Sequence, residues 1–204
     1  FAQAKSDPKR IAYAEGEDLR VLRAVQIAVD EGLAFPILVG RTAVIEANIK
    51  KLGLRLEHGV NITIVDQEKN PDYEKFADDY YNIMQRKGVT PEYAQRETRR
   101  RSTLIAAMLV KHGLADGMLC GTYSSYDIHL DFVSNVIGLQ EGRNTFFTLN
   151  ALMLEDRNLF IADTYINRNP TAEQLAEMTI LAAEEVRRFG ITPRIALLSH
   201  SSFG

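Results

Sequence analysis

The sequence predicts an α/β fold built from two subdomains. Short apolar runs of strand length alternate with amphipathic helical patterns through the first 120 residues, which is typical of parallel strands joined by helices. Beyond residue 145, two strand-like runs lie too close together for a helical crossover, so they predict an antiparallel hairpin. This change of pattern places a domain boundary near Gly142, with subdomains at 1–142 and 143–204.

Four apolar runs in the first subdomain predict buried parallel strands. Acidic residues follow the first run and suit the positive end of a helix, and Gly32 ends that helix where a left-handed residue is favoured. One βαβ unit is therefore complete by residue 40. The four runs lie at 10–14, 35–40, 60–65 and 116–120.

The segments between these strands carry helix signals. Thr42 is expected to cap a helix over 42–52, and an aromatic-rich helix is predicted over 72–87. A cap and a first-turn proline at 90–91 begin one further helix, which is expected to end near residue 112.

The second subdomain is expected to begin with the hairpin, whose strands lie at 145–154 and 158–164. An amphipathic helix follows over 171–189. The apolar run 195–198 then predicts a buried strand that opens into a turn of serines and glycine. Such a turn offers hydroxyl and backbone N–H groups of the kind that surround phosphates.

Composition excludes several functional classes. The net charge of −3 gives no global field that attracts nucleic acid, and no apolar stretch approaches the ~20 residues that span a bilayer. The single cysteine, Cys120, rules out an internal disulfide framework and a cysteine metal site. A cytoplasmic protein is therefore expected, with Cys120 as a neutral thiol packed in the core.

Candidate ligand contacts lie where strands end. Ser124 and Ser125 follow the fourth strand at the carboxyl edge of the sheet, where ligands of open α/β sheets usually bind. Asp163 ends a strand and either orients a ligand or caps a turn. The terminal turn supplies Ser199, Ser201, Ser202 and Gly204, whose alternative role is capping.

No metal site or catalytic group is predicted. His129 and Asp131 are two residues apart, so they would not share a helical face. The arginines at 99–101 either hold phosphates of a nucleotide ligand or form a solvated face with ion pairs, and the second interpretation is favoured.

Several segments resemble the phosphate acetyltransferase/butyryltransferase family, and the resemblance covers the whole chain in order. The first two segments are Arg10–Ala24 and Asp30–Gly40. Three later segments, at 115–122, 160–167 and 188–204, look most like the branch found as the C-terminal domain of multidomain NADP-dependent malic enzymes.

The resemblance implies a layered phosphotransacetylase-like fold, similar to isocitrate and isopropylmalate dehydrogenases, whose second subdomain continues past residue 204. It implies acetyl-CoA as an effector and a homo-oligomer that is at least a dimer. No cofactor is expected in this chain, whereas NADP and a divalent metal, Mg or Mn, would belong to an upstream malic enzyme domain.

The chain departs from the active members of this family at three positions. Asp131 and Met84 stand where the resemblance places substrate-binding arginines, although Arg86 lies near the second position, and Phe203 stands where a lysine is common. All three departures remove positive charge, so binding of acetyl-CoA without turnover is expected. The alternatives are an active phosphate acetyltransferase and a purely structural dimerisation module.

Overall fold

The computed structural model describes residues 1–198 and divides the chain into two compact units, Phe1–Gly138 and Leu139–Gly204. The division falls a few residues before the predicted boundary at Gly142. The strands of the first unit are β1 (Lys9–Tyr13), β2 (Ala34–Gly40), β3 (Thr63–Asp66) and β4 (Gly117–Leu119). Its helices are α1 (Ala2–Ser6), α2 (Leu19–Asp30), α3 (Thr42–Leu52), α4 (Tyr73–Met84), α5 (Pro91–Arg100), α6 (Ser102–Lys111) and α7 (Tyr126–Val136).

The four strands form a parallel sheet in the order β3-β2-β1-β4. Alternate residues of β2 supply two separate cores, because successive side chains of a strand point to opposite faces. Leu38 packs with α2 and α3, whereas Ile37 and Val39 pack with the helices on the other face. The predicted α/β fold with a parallel sheet is therefore confirmed.

The loop after β1 passes against the end of β2, and Gly16 makes this approach possible. Its N–H donates to the carbonyl oxygen of Val39 at 3.0 Å. A Cβ atom on Gly16 would lie 2.8 Å from that oxygen and 3.0 Å from Cβ of Leu38. Only glycine therefore fits without moving the loop.

Two helix predictions in the first unit were wrong. Thr42 does not cap α3, because the N-cap residue is Arg41 and its side chain makes no capping bond. Instead the carboxylate of Asp66, at the end of β3, accepts the N–H of Thr42 at 2.9 Å. Burial alone would raise the pKa of Asp66, but this bond and two further backbone N–H donors lower the pKa to about 2.

The single helix predicted from residue 90 to about residue 112 is two helices. Arg101 breaks it with an extended backbone, φ −105° and ψ 97°. The buried carboxylate of Glu97 holds the Arg101 guanidinium at 2.9 Å, and α6 is buried along most of its length. Tertiary packing therefore sets the break, since the sequence has no proline or glycine there.

The second unit contains the predicted hairpin and helix. Strands β5 (Leu149–Met153) and β6 (Asn158–Ala162) pair antiparallel, and α8 covers Ala172–Arg188. Thr171 and Gln174 form a capping box at the start of α8. The terminal strand predicted at 195–198 is absent, since this segment pairs with no described strand and Leu198 is 91% exposed.

The turn after β6 is organised by Asp163. Its carboxylate accepts hydrogen bonds from the N–H and hydroxyl of Thr148, at 3.0 and 2.7 Å, and from the N–H of Asn167 at 2.7 Å. Burial acts to raise the pKa of Asp163, but these donors outweigh it and lower the pKa to about 2. The turn-capping role proposed for Asp163 is therefore present, and its ligand role stays a prediction.

We predict that Gly16→Ala lowers the free energy of unfolding by about 1–3 kcal/mol, as overpacking against a fixed backbone usually does. Gly117→Ala is the matched control, because its Cβ would lie at an ordinary 3.5 Å from Cδ1 of Ile11. Urea denaturation of the purified protein measures both changes. Equal stability of the two variants would contradict this account of the loop.

We predict that Asp163→Ala destabilises the folded protein by about 1–3 kcal/mol at pH 7, because the turn loses a charged acceptor. The folded pKa lies below the ordinary 3.8, so the stabilisation is present above about pH 4 and is lost as the pH falls toward 2. Urea denaturation at several pH values should show this loss in the wild type. Asp156→Ala, at an exposed position of the same hairpin, is the control. The turn-capping role of Asp163 would be refuted if the loss of stability in Asp163→Ala were independent of pH, or no larger than the loss in Asp156→Ala.

Candidate ligand-binding site

The direction of the sheet reverses between β1 and β4. The chain runs from β1 outward through β2 and β3, and β4 then returns to the other side of β1. In open parallel sheets, ligands bind beside the carboxyl ends of the strands at such a switch point. Here the two strands lead into residues 14–18 and 120–125, which together we call the switch-point site.

Direct hydrogen bonds join the two loops of the switch-point site. The N–H of Ala14 donates to the carbonyl of Leu119 at 2.9 Å, which extends the ladder beyond the strands. The N–H of Gly121 donates to the carboxylate of Glu15 at 3.0 Å. The hydroxyl of Tyr123 donates to the carboxylate of Asp18. The carboxyl ends of β1 and β4 are thus held together by backbone and side chains.

Asp18 is the most heavily bonded group of the site. Its side chain is only 6% exposed, and it caps α2 by accepting the N–H groups of Arg20 and Val21 at 2.7 and 3.2 Å. The Arg20 guanidinium binds the same carboxylate at 3.0 Å. The hydrogen bonds from Arg20 and Tyr123 hold the pKa of Asp18 well below its usual range. The bond between Tyr123 and Asp18 also raises the pKa of Tyr123.

The predicted ligand residues Ser124 and Ser125 lie at the exposed rim of this site. Ser124 adopts a left-handed backbone, φ 68°, which is uncommon for a residue with a Cβ atom. Ser125 occupies the N-cap position of α7, but its hydroxyl makes no capping bond. Both hydroxyls stand beside the positive end of a helix, where oxygen-rich ligands are stabilised.

His129 fixes the backbone beneath these serines. It is buried on α7, its Nε2 donates to the carbonyl of Tyr123 at 2.5 Å, and its Nδ1 lies 2.8 Å from the Thr103 hydroxyl. Sequence reasoning assigned no role to His129 because helix α7 was not predicted. Two signals could have predicted α7: Ser125 is a typical N-cap residue, and Phe132 and Val136 follow it at the i, i+4 spacing of a helix face.

The two guanidinium groups beside the switch-point site are already paired with carboxylates. Glu17 binds the Arg41 guanidinium at 2.8 and 2.9 Å, and these hydrogen bonds lower the pKa of Glu17. Arg20 pairs with Asp18 in the same way. The loop after β1 therefore has three carboxylates against two neighbouring guanidinium groups, and it offers no surplus positive charge.

The prediction of a core position for Cys120 was wrong. Cys120 is exposed, and Leu119, the last residue of β4, is already 55% exposed, so this end of the strand is not covered by the core. Partial desolvation, together with the charge of Glu15, still raises the pKa of the Cys120 thiol. A raised pKa keeps the thiol neutral and weakly reactive, as expected, although Cys120 does not lie in the core.

The two described positions that depart from the family pattern carry no cation. Asp131 is exposed on α7, and its carboxylate accepts the Asn135 side-chain amide at 2.8 Å. Met84 is 8% exposed in the core, while Arg86 lies in an exposed 3₁₀ turn two residues later. An arginine head group at position 84 would have to be buried.

Other predicted site residues lie elsewhere. Asp163 belongs to the second unit, and Ser199, Ser201, Ser202, Phe203 and Gly204 lie outside the described residues. In the arginine run, Arg99 lies 4.1 Å above the ring of Tyr73 and Arg101 pairs with Glu97. These contacts fit the favoured interpretation of a surface face with ion pairs.

An open groove of about 830 Å³ runs along β2 and β3, and none of the described ligand candidates, Ser124, Ser125 and Asp163, lines it. Its lining includes the apolar side chains Phe35, Ile37, Val65 and Leu109. Within residues 1–198, no three His, Cys, Asp or Glu side chains are arranged to hold a metal ion. Over the same range, no helix is long and apolar enough to cross a membrane.

Comparison with known proteins agrees with this architecture. A phosphotransacetylase crystal structure from Streptococcus pyogenes superposes with a TM-score of 0.88 at 30% identity, covering all of this chain and 62% of that one. An NADP-dependent malic enzyme of Haemophilus influenzae is 52% identical over 204 residues. A phosphate acetyltransferase of Synechocystis is 32% identical over 199 residues.

The chain spans only part of these relatives, covering 27% of the malic enzyme and 28% of the phosphate acetyltransferase. It is thus homologous to one region of NADP-dependent malic enzymes and related to phosphotransacetylases. The pattern of the family described as phosphate acetyl/butaryl transferase matches residues 1–204. The chain therefore belongs to the phosphate acetyl/butaryl transferase family.

Proposed function

We propose that this chain is a region of an NADP-dependent malic enzyme that binds acetyl-CoA, regulates malate oxidation and holds the oligomer together, without acetyltransferase activity of its own. The identity of 52% to a malic enzyme, against 32% to a phosphate acetyltransferase, supports the first part. The charges around the switch-point site support the absence of acetyltransferase activity.

Asp131 is the observation that carries the proposal. Transfer of an acetyl group from acetyl phosphate requires cations that neutralise the phosphate. At ~4 Å a carboxylate repels such an anion by about 1–4 kcal/mol, where an arginine would attract it by a similar amount. Asp131 is exposed and has only the neutral amide of Asn135 as its side-chain partner in the described structure. Its charge is therefore not cancelled by a bonded cation.

Burial of Met84 removes the second cation of the family pattern. The Met84 side chain packs in the same core as Phe76 and Phe132, so a guanidinium at this position could not reach solvent without rearranging the core. Arg20 and Arg41, which contact carboxylates of the switch-point site, are paired with Asp18 and Glu17. The site is thus poorly equipped to hold acetyl phosphate.

The same site retains groups that suit binding of acetyl-CoA. The hydroxyls of Ser124 and Ser125 are exposed beside the first turn of α7, where they can donate to a phosphate or thioester oxygen. In the second unit, Asp163, Ser199, Ser201, Ser202 and Gly204 remain predicted ligand contacts, separate from this site. Binding without a positioned acetyl phosphate gives occupancy without turnover.

Regulation follows if acetyl-CoA binds one conformation of the malic enzyme more tightly than another. Couplings between distant sites usually amount to about 1–3 kcal/mol, which changes affinity roughly 5- to 150-fold. NADP, a divalent metal and the malate site would belong to the upstream domain, in a cytoplasmic homo-oligomer. An active transferase and a purely structural assembly module are the competing functions.

We predict saturable binding of acetyl-CoA to the full-length protein, measured by isothermal titration calorimetry. Ser125→Ala should weaken this binding roughly two- to tenfold, because one hydrogen bond to the ligand is lost. Ser6→Ala is the matched control, since Ser6 is exposed on α1 and its hydroxyl donates to the carbonyl of Gln3. Its affinity should equal that of the wild type.

Two outcomes would reject the proposal in different ways. Absence of binding at millimolar acetyl-CoA would leave the structural assembly module. Formation of acetyl-CoA from coenzyme A and acetyl phosphate by the wild type would show an active transferase, and it would make the interpretation of Asp131 wrong.

A further inference from the structure

We call residues 120–125, the loop after β4, the serine loop. The hydroxyl of Tyr123 connects this loop to the carboxylate of Asp18, 105 positions earlier in the chain. Tyr123 directly precedes the proposed ligand residues Ser124 and Ser125. Its ring is 55% exposed, so the side chain is not held in place by burial in the core. Two contacts therefore restrain this side chain, the hydrogen bond of its hydroxyl to Asp18 and the Arg20 guanidinium, which lies 5.9 Å from its ring centroid.

The position of the Asp18 carboxylate does not depend on Tyr123. Its carboxylate also accepts two backbone N–H groups at the start of α2 and two bonds from the Arg20 guanidinium. Four donors therefore remain when the tyrosine hydroxyl is removed. Loss of this hydroxyl should loosen the Tyr123 side chain while leaving the cap of α2 intact.

The backbone of the serine loop is held at two further points. The N–H of Gly121 donates to Glu15, and the carbonyl of Tyr123 accepts the Nε2 proton of buried His129. Between these anchors and α7, Ser124 holds a left-handed backbone that is unfavourable for a residue with a Cβ atom. Such a conformation persists only where neighbouring contacts enforce it.

We propose that Tyr123 is a positioning residue for acetyl-CoA, which holds Ser124 in its left-handed conformation and keeps both serine hydroxyls at the rim of the switch-point site. This inference rests on the proposed function of the same loop. It adds a residue whose role is exerted through the loop conformation and that needs no contact with the ligand.

The test combines hydrogen exchange and ligand affinity in the full-length protein. In Tyr123→Phe without ligand, amide exchange in residues 121–126 should accelerate roughly tenfold, while exchange in β1 and β2 stays unchanged. Acetyl-CoA affinity, measured by calorimetry, should fall roughly three- to tenfold. Tyr93→Phe is the control, because Tyr93 lies on α5 with its ring 4.9 Å from the Arg96 guanidinium.

The outcomes separate this inference from the proposed function. Unchanged exchange in residues 121–126 would show that the hydroxyl does not hold the loop, and the inference would be wrong. Faster exchange with unchanged affinity would overturn the positioning role alone. Absence of acetyl-CoA binding by the wild type would overturn the proposed function, and the positioning role with it.

Discussion

The carboxylate of Asp18 is the interaction on which the candidate site depends. It begins α2 by accepting backbone N–H groups, holds Arg20, and binds the hydroxyl of Tyr123 from the loop after β4. One buried group therefore couples α2 to the edge of the sheet where a ligand would bind. The reversal of strand order between β1 and β4 makes this contact possible, because it places the two loops side by side.

Charge pairing then decides what chemistry the site supports. Arginines that would attract a phosphate are bound to carboxylates of the β1 loop, and Asp131 and Met84 supply none in their place. Transfer from acetyl phosphate needs cations at the reacting phosphate, whereas the neutral acetyl-pantetheine arm of acetyl-CoA can be held by neutral hydrogen bonds. The proposed function, binding of acetyl-CoA without acetyl transfer, rests on this distribution of charge.

The sequence was sufficient for the sheet but not for the contacts that complete the site. Apolar runs located all four strands and the hairpin, and the pattern is clearest in β2, where five consecutive residues are buried. The break at Arg101 has no local signal, because the buried Glu97 and the packing of α6 impose it. The Asp18–Tyr123 bond joins residues 105 positions apart, so predicting it requires the strand order. The role of His129 was not predicted because helix α7 was not predicted.

The central claim is that acetyl-CoA occupies the switch-point site. The most direct measurement is hydrogen exchange of the wild-type full-length protein with and without saturating acetyl-CoA. The account predicts that ligand-dependent protection in the first unit is strongest in residues 14–18 and 120–126. Protection confined to the groove along β2 and β3, with no change in those two loops, would contradict it.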